Sequence, residues 1–159
     1  MSRTRTLCAI ALGSNQGNRR AHLELALRRL TETFGSIVQS SIFETEPEGV
    51  TVAQPPFLNM VVLARTTLDA PQTLERLLAI EREAGRERPF PAAPRTLDLD
   101  LVLFGDLVLM GPELTVPHPR FRGRMFVLEP LAEIAPELTD PVSGLTMASL
   151  LERLRSRRS

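Results

Sequence analysis

The order in which strand-like and helix-like segments follow one another limits the fold of this chain more than any other feature. Short apolar runs, typical of buried strands, alternate with segments that carry an apolar stripe at helical spacing. We predict, in chain order, a strand at 7–12, a helix at 18–34, strands at 37–44 and 57–66, a helix at 71–84 and a strand at 98–104. This β-α-β-β-α-β order predicts an α+β fold of the ferredoxin-like type, an antiparallel sheet with helices packed on it.

The residues after position 104 form a C-terminal extension of this core. We predict a short return strand at 107–110, after the turn signal Gly105-Asp106. Helices are expected at 125–135 and 146–154, the second with Thr146 as its N-cap. No repeat and no linker interrupts the sequence, so we expect one domain over residues 1–159.

The antiparallel order places the unusual loops of the chain at one end of the sheet. If the first strand runs up, the junctions 13–18, 45–56 and 86–97 all lie at the same end. Phe57, Asn59, Asp98 and Asp100 stand at the starts of their strands and belong to this end as well. The sequence therefore predicts that these aromatic, amide and acidic side chains, which are candidate site residues, lie in one region.

The charged residues exclude several classes of function. Nineteen basic and nineteen acidic residues cancel in a chain of 159, which lacks the basic footprint of a dedicated nucleic-acid binder. All nineteen basic residues are arginine, which excludes a Walker-A lysine, a kinase strand lysine and a Schiff-base lysine. Phosphate chemistry in this chain must therefore use arginine, backbone N–H groups and metal.

Signals for a membrane or for export are also missing from the sequence. No apolar run approaches the length of a membrane span, and residues 1–6 do not have the pattern of a signal peptide. The one cysteine, Cys8, lies in an apolar run, where a small buried hydrophobe is expected rather than a reactive thiol. We therefore expect a cytoplasmic protein with no membrane partner.

Asp98 and Asp100 are the sharpest chemical signal in the chain. They lie two apart on a predicted strand, so both carboxylates leave the same face, with their Cα atoms roughly 6.5 Å apart. Such carboxylates repel, and a divalent cation that favours hard oxygen ligands, such as Mg2+, removes the repulsion. The alternative is an exposed edge strand of alternating charge. It fits less well, because the neighbours from Leu97 to Phe104 are apolar on both faces.

Candidate phosphate-binding residues flank the two aspartates. Arg86, Arg88 and Arg95 lie in the preceding loop, and guanidinium forks match phosphate oxygens bidentately. His118 stands between two prolines that stiffen the backbone around it. Taken alone, Arg88 and His118 are more typical of a solvated loop, whereas Arg95 lies only three residues before Asp98.

Six segments of the sequence together resemble a known enzyme family. The combination of Pro94-Arg-Thr-Leu-Asp-Leu-Asp100 with Leu114-Thr-Val-Pro-His118 is highly specific. The other segments are Ala11-Leu-Gly-Ser-Asn15, Phe57-Leu-Asn59, Gly85-Arg86 and Pro130-Leu-Ala-Glu-Ile-Ala-Pro136. From residue 9 to about residue 138 the chain resembles 6-hydroxymethyl-7,8-dihydropterin pyrophosphokinase of folate biosynthesis, a family whose fold is ferredoxin-like.

The resemblance implies an enzyme that transfers pyrophosphate from ATP to the pterin hydroxyl, giving AMP and the pterin diphosphate. Asp98 and Asp100 would hold two Mg2+ ions that bridge ATP to this hydroxyl. Arg86, Arg95 and His118 would contact the ATP phosphates. The residues that would border the nucleotide are Glu81, Leu101, Leu114 and Thr115.

The resemblance also implies a pterin site. Phe57 and Phe126 would sandwich the pterin ring. Its hydrogen-bonding edge would be read by Asn59, Thr45 and backbone groups near Glu46 and Glu48.

Two departures from the family pattern concern aromatic residues. The family loop before the Pro-Arg-Thr segment often carries a tryptophan that closes over the site. Here the stretch 88–93 has no tryptophan and is apparently one residue shorter, so Phe90 is the candidate replacement. Phe57 occupies a stacking position that is often tyrosine, which keeps the ring and loses the hydroxyl.

Two other functions are open from the residues alone. A metal-dependent nucleotidyltransferase is also built around Asp-x-Asp and would release pyrophosphate instead of AMP. A ferredoxin-like module that binds RNA or small ligands would use exposed aromatic and basic residues. The zero net charge and the absence of Tyr and Trp argue against it. We expect a monomer whose partners are the small molecules ATP and a reduced pterin.

Overall fold

Up to residue 104 the strands and helices follow the order expected from the sequence, apart from a break in the second strand; the short strand Thr115–Val116 further on was not predicted. The computed structural model describes residues 4–46, 55–85 and 97–158. Its elements are β1 (Thr6–Ser14), α1 (Arg19–Phe34), β2 (Val38–Gln39), β3 (Phe43–Thr45), β4 (Phe57–Thr66), α2 (Ala70–Ala84), β5 (Asp98–Phe104), β6 (Leu109–Met110), β7 (Thr115–Val116), a 3-10 turn (Phe121–Gly123), α3 (Met125–Ile134) and α4 (Met147–Arg158).

The main sheet has the strand order β2-β4-β1-β5, with β3 also paired to β4. All of these pairings are antiparallel. If β2 and β3 are counted as one strand, this is the ferredoxin-like topology, so the predicted fold class is confirmed. β6 and β7 form a separate two-stranded ribbon.

The central strand β1 is covered on both faces. Cys8, Ile10 and Leu12 point into a core shared with α1 and α2, whereas Ala9 and Ala11 point into a second core shared with α3 and α4. Burial on both faces explains why this strand is an unbroken apolar run rather than an alternating one. Burial raises the pKa of the Cys8 thiol to about 12, which suits a core residue and not a nucleophile.

Side-chain caps fix where the helices begin. The Asn18 side chain accepts a backbone N–H at the start of α1, and Asp69 and Gln72 form a capping box at the start of α2. Thr146 Oγ1 accepts the Ser149 N–H at 3.1 Å. The predicted N-cap of the last helix is therefore confirmed.

The predicted continuous strand at 37–44 is wrong, because the structure divides it into β2 and β3. The registers of these two strands on β4 differ by one residue. Ser40 lies at the break, where its Oγ accepts the Val61 N–H and its own N–H donates to the Val61 carbonyl, both at 2.9 Å. A hydrogen bond to the Ser40 side chain thus replaces a backbone hydrogen bond between the strands, and the extra residue forms a β-bulge.

The C-terminal extension differs from the prediction mainly at its strand. The return strand covers only Leu109–Met110, while Leu107 and Val108 are exposed outside it. α3 and α4 lie where helices were expected, and α4 runs four residues further. Within the described ranges no helix has the length and apolar character needed to span a membrane.

Candidate active site

Three strands meet at one end of the sheet, where β1 ends and β4 and β5 begin; we call this end the loop edge. Gly13 of β1 pairs with Asn59 of β4 on one side and with Asp98 of β5 on the other, and Ala11 pairs with Asp100. Neighbouring strands lie about 4.8 Å apart, so Asn59 and the aspartates are separated by roughly 10 Å. The predicted gathering of these residues at one edge is confirmed.

The centre of the loop edge carries only small side chains. A Cβ atom on Gly13 would lie 3.1 Å from Asn59 Oδ1 and 3.6 Å from Phe57 Cδ1. The shorter of these distances is below the separation of about 3.5–4.0 Å at which nonbonded heavy atoms attract best. The absent side chain at Gly13 and the single methyl group of Ala11 therefore leave open space above the sheet.

This space is a cavity of about 500 Å³, a size typical of small-molecule sites. Seven of the residues predicted for the site line it: Thr45, Glu46, Phe57, Asn59, Asp98, Asp100 and Phe126. Ala11, Leu12, Gly13 and Arg124 line it as well. One cavity therefore holds both the aromatic pair and the acidic pair.

Two phenylalanines form the apolar part of the cavity lining. Phe57 begins β4, and Phe126 lies in the first turn of α3; both side chains are partly exposed. The Arg124 guanidinium lies over the Phe126 ring, with Cζ 5.5 Å from the ring centroid, a cation–π contact. Partly exposed aromatic faces in a cavity suit the stacking of a planar ligand.

A buried amide lies beside the aromatic residues. Asn59 is 5% exposed, and its Nδ2 donates a hydrogen bond to Thr45 Oγ1 at 2.5 Å. This bond fixes which way the amide points, with Oδ1 on the side of β1. A fixed amide offers directional hydrogen bonds to a ligand with a polar edge.

The two aspartates project from a strand that is otherwise buried. Both are partly exposed at the cavity, whereas their neighbours Leu99 and Leu101 are each 4% exposed in the core with α1 and α2. An exposed strand of alternating charge does not fit this burial. Two carboxylates on one face have the chemistry to hold Mg2+. No cluster of three or more metal-binding side chains occurs in the described ranges.

Two contacts hold the outer edge of β5, next to the aspartates. The Leu99 N–H, between the two acids, donates to Glu81 Oε2 of α2 at 2.7 Å. Further along the strand, the His118 N–H donates to the Val102 carbonyl at 2.8 Å. Backbone groups of an edge strand need such partners. These contacts therefore fix the segment that carries the acidic pair.

The surroundings of His118 disfavour its charged form. Burial lowers the pKa of its imidazole, Arg124 and Arg120 lower it further, and Asp98 acts in the opposite direction. The Arg120 N–H donates to His118 Nδ1 at 3.1 Å, so Nδ1 carries no proton and a neutral ring has its proton on Nε2. That N–H is suited to donate to a phosphate oxygen.

Several residues predicted to border the nucleotide lie along β5 instead of in the cavity. The Leu101 side chain is buried, which leaves only its backbone to contact a ligand, and Leu114 packs against the same core. Thr115 lies on β7 and donates through Oγ1 to the Gly111 carbonyl at 3.3 Å. Five residues predicted for the site or its loop lie outside the described residues: Glu48, Arg86, Arg88, Phe90 and Arg95.

Sequence reasoning missed Arg124, although this residue lines the cavity beside Phe126. It also missed Arg120, which acts on His118. A signal was present, because the run Arg-Phe-Arg-Gly-Arg at 120–124 follows His118 closely in a chain whose basic residues are all arginines.

Comparisons with known proteins point to one enzyme family. Residues 9–136 match the family model described as 7,8-dihydro-6-hydroxymethylpterin-pyrophosphokinase (HPPK). The chain is 42% identical over 147 residues to a 2-amino-4-hydroxy-6-hydroxymethyldihydropteridine pyrophosphokinase of Synechocystis sp., covering 91% of this chain and 74% of that protein. It is 44% identical over 131 residues to the enzyme of the same name from Bacillus subtilis, covering 81% and 78%.

A solved structure agrees with the fold. A crystal structure of Plasmodium falciparum HPPK-DHPS superimposes with a TM-score of 0.80 at 17% identity, over 98% of this chain. The chain spans 46% of that longer protein. At this identity the likeness concerns the fold alone.

The ligand-free protein should lose stability below neutral pH through His118. Since its pKa is depressed in the folded state, the unfolded chain takes up the proton first. The contribution of His118 to the free energy of unfolding is therefore fully present above the pKa that this residue has in the unfolded chain. It is lost as the pH falls through the lower pKa of His118 in the folded protein. Calorimetry in EDTA should show a larger fall in Tm from about pH 7 to about pH 5 for the parent than for His118→Asn. Equal falls for the parent and for His118→Asn would contradict the expectation.

Proposed function

The chain belongs to the 7,8-dihydro-6-hydroxymethylpterin-pyrophosphokinase family and transfers pyrophosphate from ATP to 6-hydroxymethyl-7,8-dihydropterin, a step of folate biosynthesis, and we propose that the transfer takes place in the cavity at the loop edge. The observation that carries this proposal is that the aromatic pair Phe57 and Phe126 and the acidic pair Asp98 and Asp100 line the same cavity. A planar acceptor and a metal-bound phosphate chain need these two linings side by side.

The pterin is held by the half of the cavity on the β4 side. Its flat ring stacks between Phe57 and Phe126, which supply apolar faces without the hydroxyl of a tyrosine. Asn59, oriented by Thr45, hydrogen-bonds to the polar edge of the ring, with Glu46 at the cavity rim. This arrangement turns the hydroxymethyl group toward the acidic pair, roughly two strand spacings away.

We propose that Asp98 and Asp100 would hold Mg2+, as two ions, because hard carboxylate oxygens on one strand face fit this cation. When bound there, Mg2+ would neutralise phosphate charge and help to lower the pKa of the acceptor hydroxyl. The hydrogen bonds from the Leu99 N–H to Glu81 and from the His118 N–H to the Val102 carbonyl hold β5 in place, and with it the two carboxylates.

The triphosphate is held beside β5 by cationic and neutral donors. His118 donates to the phosphate oxygens from Nε2. Arg86 and Arg95, outside the described residues, are proposed as bidentate phosphate ligands. The nucleotide then lies along the β5 edge, near Glu81, Leu101, Leu114 and Thr115.

The reaction is a direct in-line transfer. The pterin hydroxymethyl oxygen attacks the β-phosphorus of ATP, the bond from this phosphorus to the oxygen of the α-phosphate breaks, and AMP leaves with that oxygen. The hydroxyl proton passes to a carboxylate of the acidic pair or to solvent. Such transfers need positioning and charge neutralisation more than covalent catalysis, which fits a site without lysine.

The setting of the enzyme is also proposed. The aromatic and acidic linings both come from one chain, so a monomer is sufficient for the reaction. We place it in the cytoplasm, acting on small molecules without a nucleic-acid or membrane partner.

The product of the reaction separates this function from its alternatives. With Mg2+, ATP and the reduced pterin, chromatography should reveal AMP and the pterin diphosphate in equal amounts. ADP, or free pyrophosphate as the main product, would instead indicate a kinase or a nucleotidyltransferase. No consumption of ATP would indicate a binding module.

The acidic pair should be essential for turnover and dispensable for folding. Asp98→Asn and Asp100→Asn keep side-chain size but remove one charge, so each should lower kcat more than about a hundredfold. Without Mg2+ the Tm should hold or rise slightly, because carboxylate repulsion is relieved. Stabilisation by Mg2+ with ATP should shrink. Asp106→Asn, in the turn after β5, is the control; turnover within a few-fold of the parent for either site variant would exclude the two-metal mechanism.

Filling the cavity floor should weaken pterin binding selectively. The methyl group of Gly13→Ala meets Asn59 and Phe57, and such overpacking costs about 1–3 kcal/mol. Isothermal titration should find pterin affinity reduced about tenfold or more, with ATP affinity within about twofold of the parent. Gly123→Ala is the matched control, because its Cβ meets no atom within 4 Å. An unchanged pterin affinity in Gly13→Ala would place the pterin elsewhere.

A further inference from the structure

The turn that leads into the aromatic lining is anchored from outside the cavity. Arg122 lies in the middle of the 3-10 turn and forms a fork with Asp140, from Nε to Oδ2 at 2.6 Å and from Nη2 to Oδ1 at 2.9 Å. Its Cζ also lies 4.7 Å from the ring centroid of the fully buried Phe121. The Asp140 carboxylate therefore binds the edge of the guanidinium, and the Phe121 ring lies against its flat face.

Asp140 is a rigid partner for this guanidinium. Its side chain is 0% exposed, and each carboxylate oxygen accepts a second hydrogen bond, from the Val142 N–H at 3.0 Å and from Ser143 Oγ at 2.7 Å. Its backbone closes a turn with Gly144 and Leu145, with both hydrogen bonds at 2.8 Å. Burial alone would raise the pKa of Asp140, but the hydrogen bonds from Arg122, Ser143 and Val142 outweigh it and lower the pKa to about 2.

The start of α3 depends on the turn that precedes it. Arg124 occupies the N-cap position but makes no side-chain capping bond; its side chain lines the cavity instead. The Arg124 N–H donates to the Phe121 carbonyl at 3.1 Å. The direction of Arg124 and Phe126 is therefore set through the 3-10 turn, and this turn is held by Asp140.

Stability alone is a weak reason for an ion pair whose carboxylate is fully buried, although the Arg122 side chain is 29% exposed. Desolvation offsets much of the attraction, and apolar replacements of such pairs are often neutral or stabilising. A two-point fork, in contrast, fixes both distance and orientation. We propose that Arg122 and Asp140 form a positioning pair, which holds Arg124 and Phe126 in the geometry that stacks on the pterin. We rely here on the proposed placement of the pterin in this cavity.

The test compares pterin and ATP affinities in variants of the full chain. Asp140→Asn keeps the shape of the side chain and weakens the fork. Small misplacements remote from the chemistry have large effects, so we expect pterin affinity to fall about tenfold, with ATP affinity within about twofold of the parent. The KM for the pterin should rise by more than kcat falls. Unchanged pterin affinity, or equal losses for both ligands, would overturn the proposal.

A double replacement separates positioning from stability. Arg122→Met with Asp140→Leu removes the fork but retains apolar bulk, so its Tm should equal or exceed that of Asp140→Asn, while its pterin affinity stays low. Recovery of pterin affinity in this double variant would mean that packing alone suffices and would refute the proposal. If Asp140→Asn does not fold, the pterin affinity of the double variant tests the proposal in its place.

Two further variants complete the design. Glu83→Gln breaks the exposed Arg29–Glu83 pair between α1 and α2, with bonds of 2.6–3.0 Å, and should match the parent in both affinities. Gly13→Ala reports on the pterin placement itself. If its pterin affinity is also unchanged, the cavity assignment is wrong and the positioning pair fails with it. If Gly13→Ala alone weakens pterin binding, the cavity stands and only the positioning role is refuted.

Discussion

The pairing of β1 with both β4 and β5 at the loop edge is the constraint on which the rest of the site depends. Antiparallel ladders set Asn59, Gly13 and Asp98 side by side, so an amide and a carboxylate flank a residue without a side chain. The cavity exists because the middle position is empty, since a Cβ there would lie against Asn59 Oδ1. The sheet thus fixes the separation between the aromatic and acidic halves of the cavity by its strand spacing.

Edge contacts and remote anchors give this arrangement its rigidity. β5 is an edge strand, and Glu81 and the segment at His118 supply partners for its outer backbone groups. The opposite wall is the start of α3, which has no side-chain cap and is held by the fork from Arg122 to Asp140 in the turn before α4. Both halves of the cavity are therefore supported by contacts within the protein, as preorganised sites require.

The electrostatics follow from a composition without lysine. The cations near His118 are guanidinium groups, whose charge is permanent. Burial and then Arg124 and Arg120 lower the pKa of the His118 imidazole, so its charged form is disfavoured. Positive charge at the cavity comes from Arg124, which also contacts the Phe126 ring.

The sequence by itself determined the order of strands and helices, the common face of Asp98 and Asp100, and the gathering of Phe57 and Asn59 with them, because strand periodicity and antiparallel order are local or topological properties. Tertiary structure alone decided the break at Ser40, the place of Arg124 in the cavity, the edge role of Glu81 and the fork from Arg122 to Asp140. Each of these depends on a partner distant in the chain, such as Val61 for Ser40 or Leu99 for Glu81. Side-chain hydrogen bonds across elements form only once packing has brought the partners together, and no local pattern in the sequence encodes that meeting.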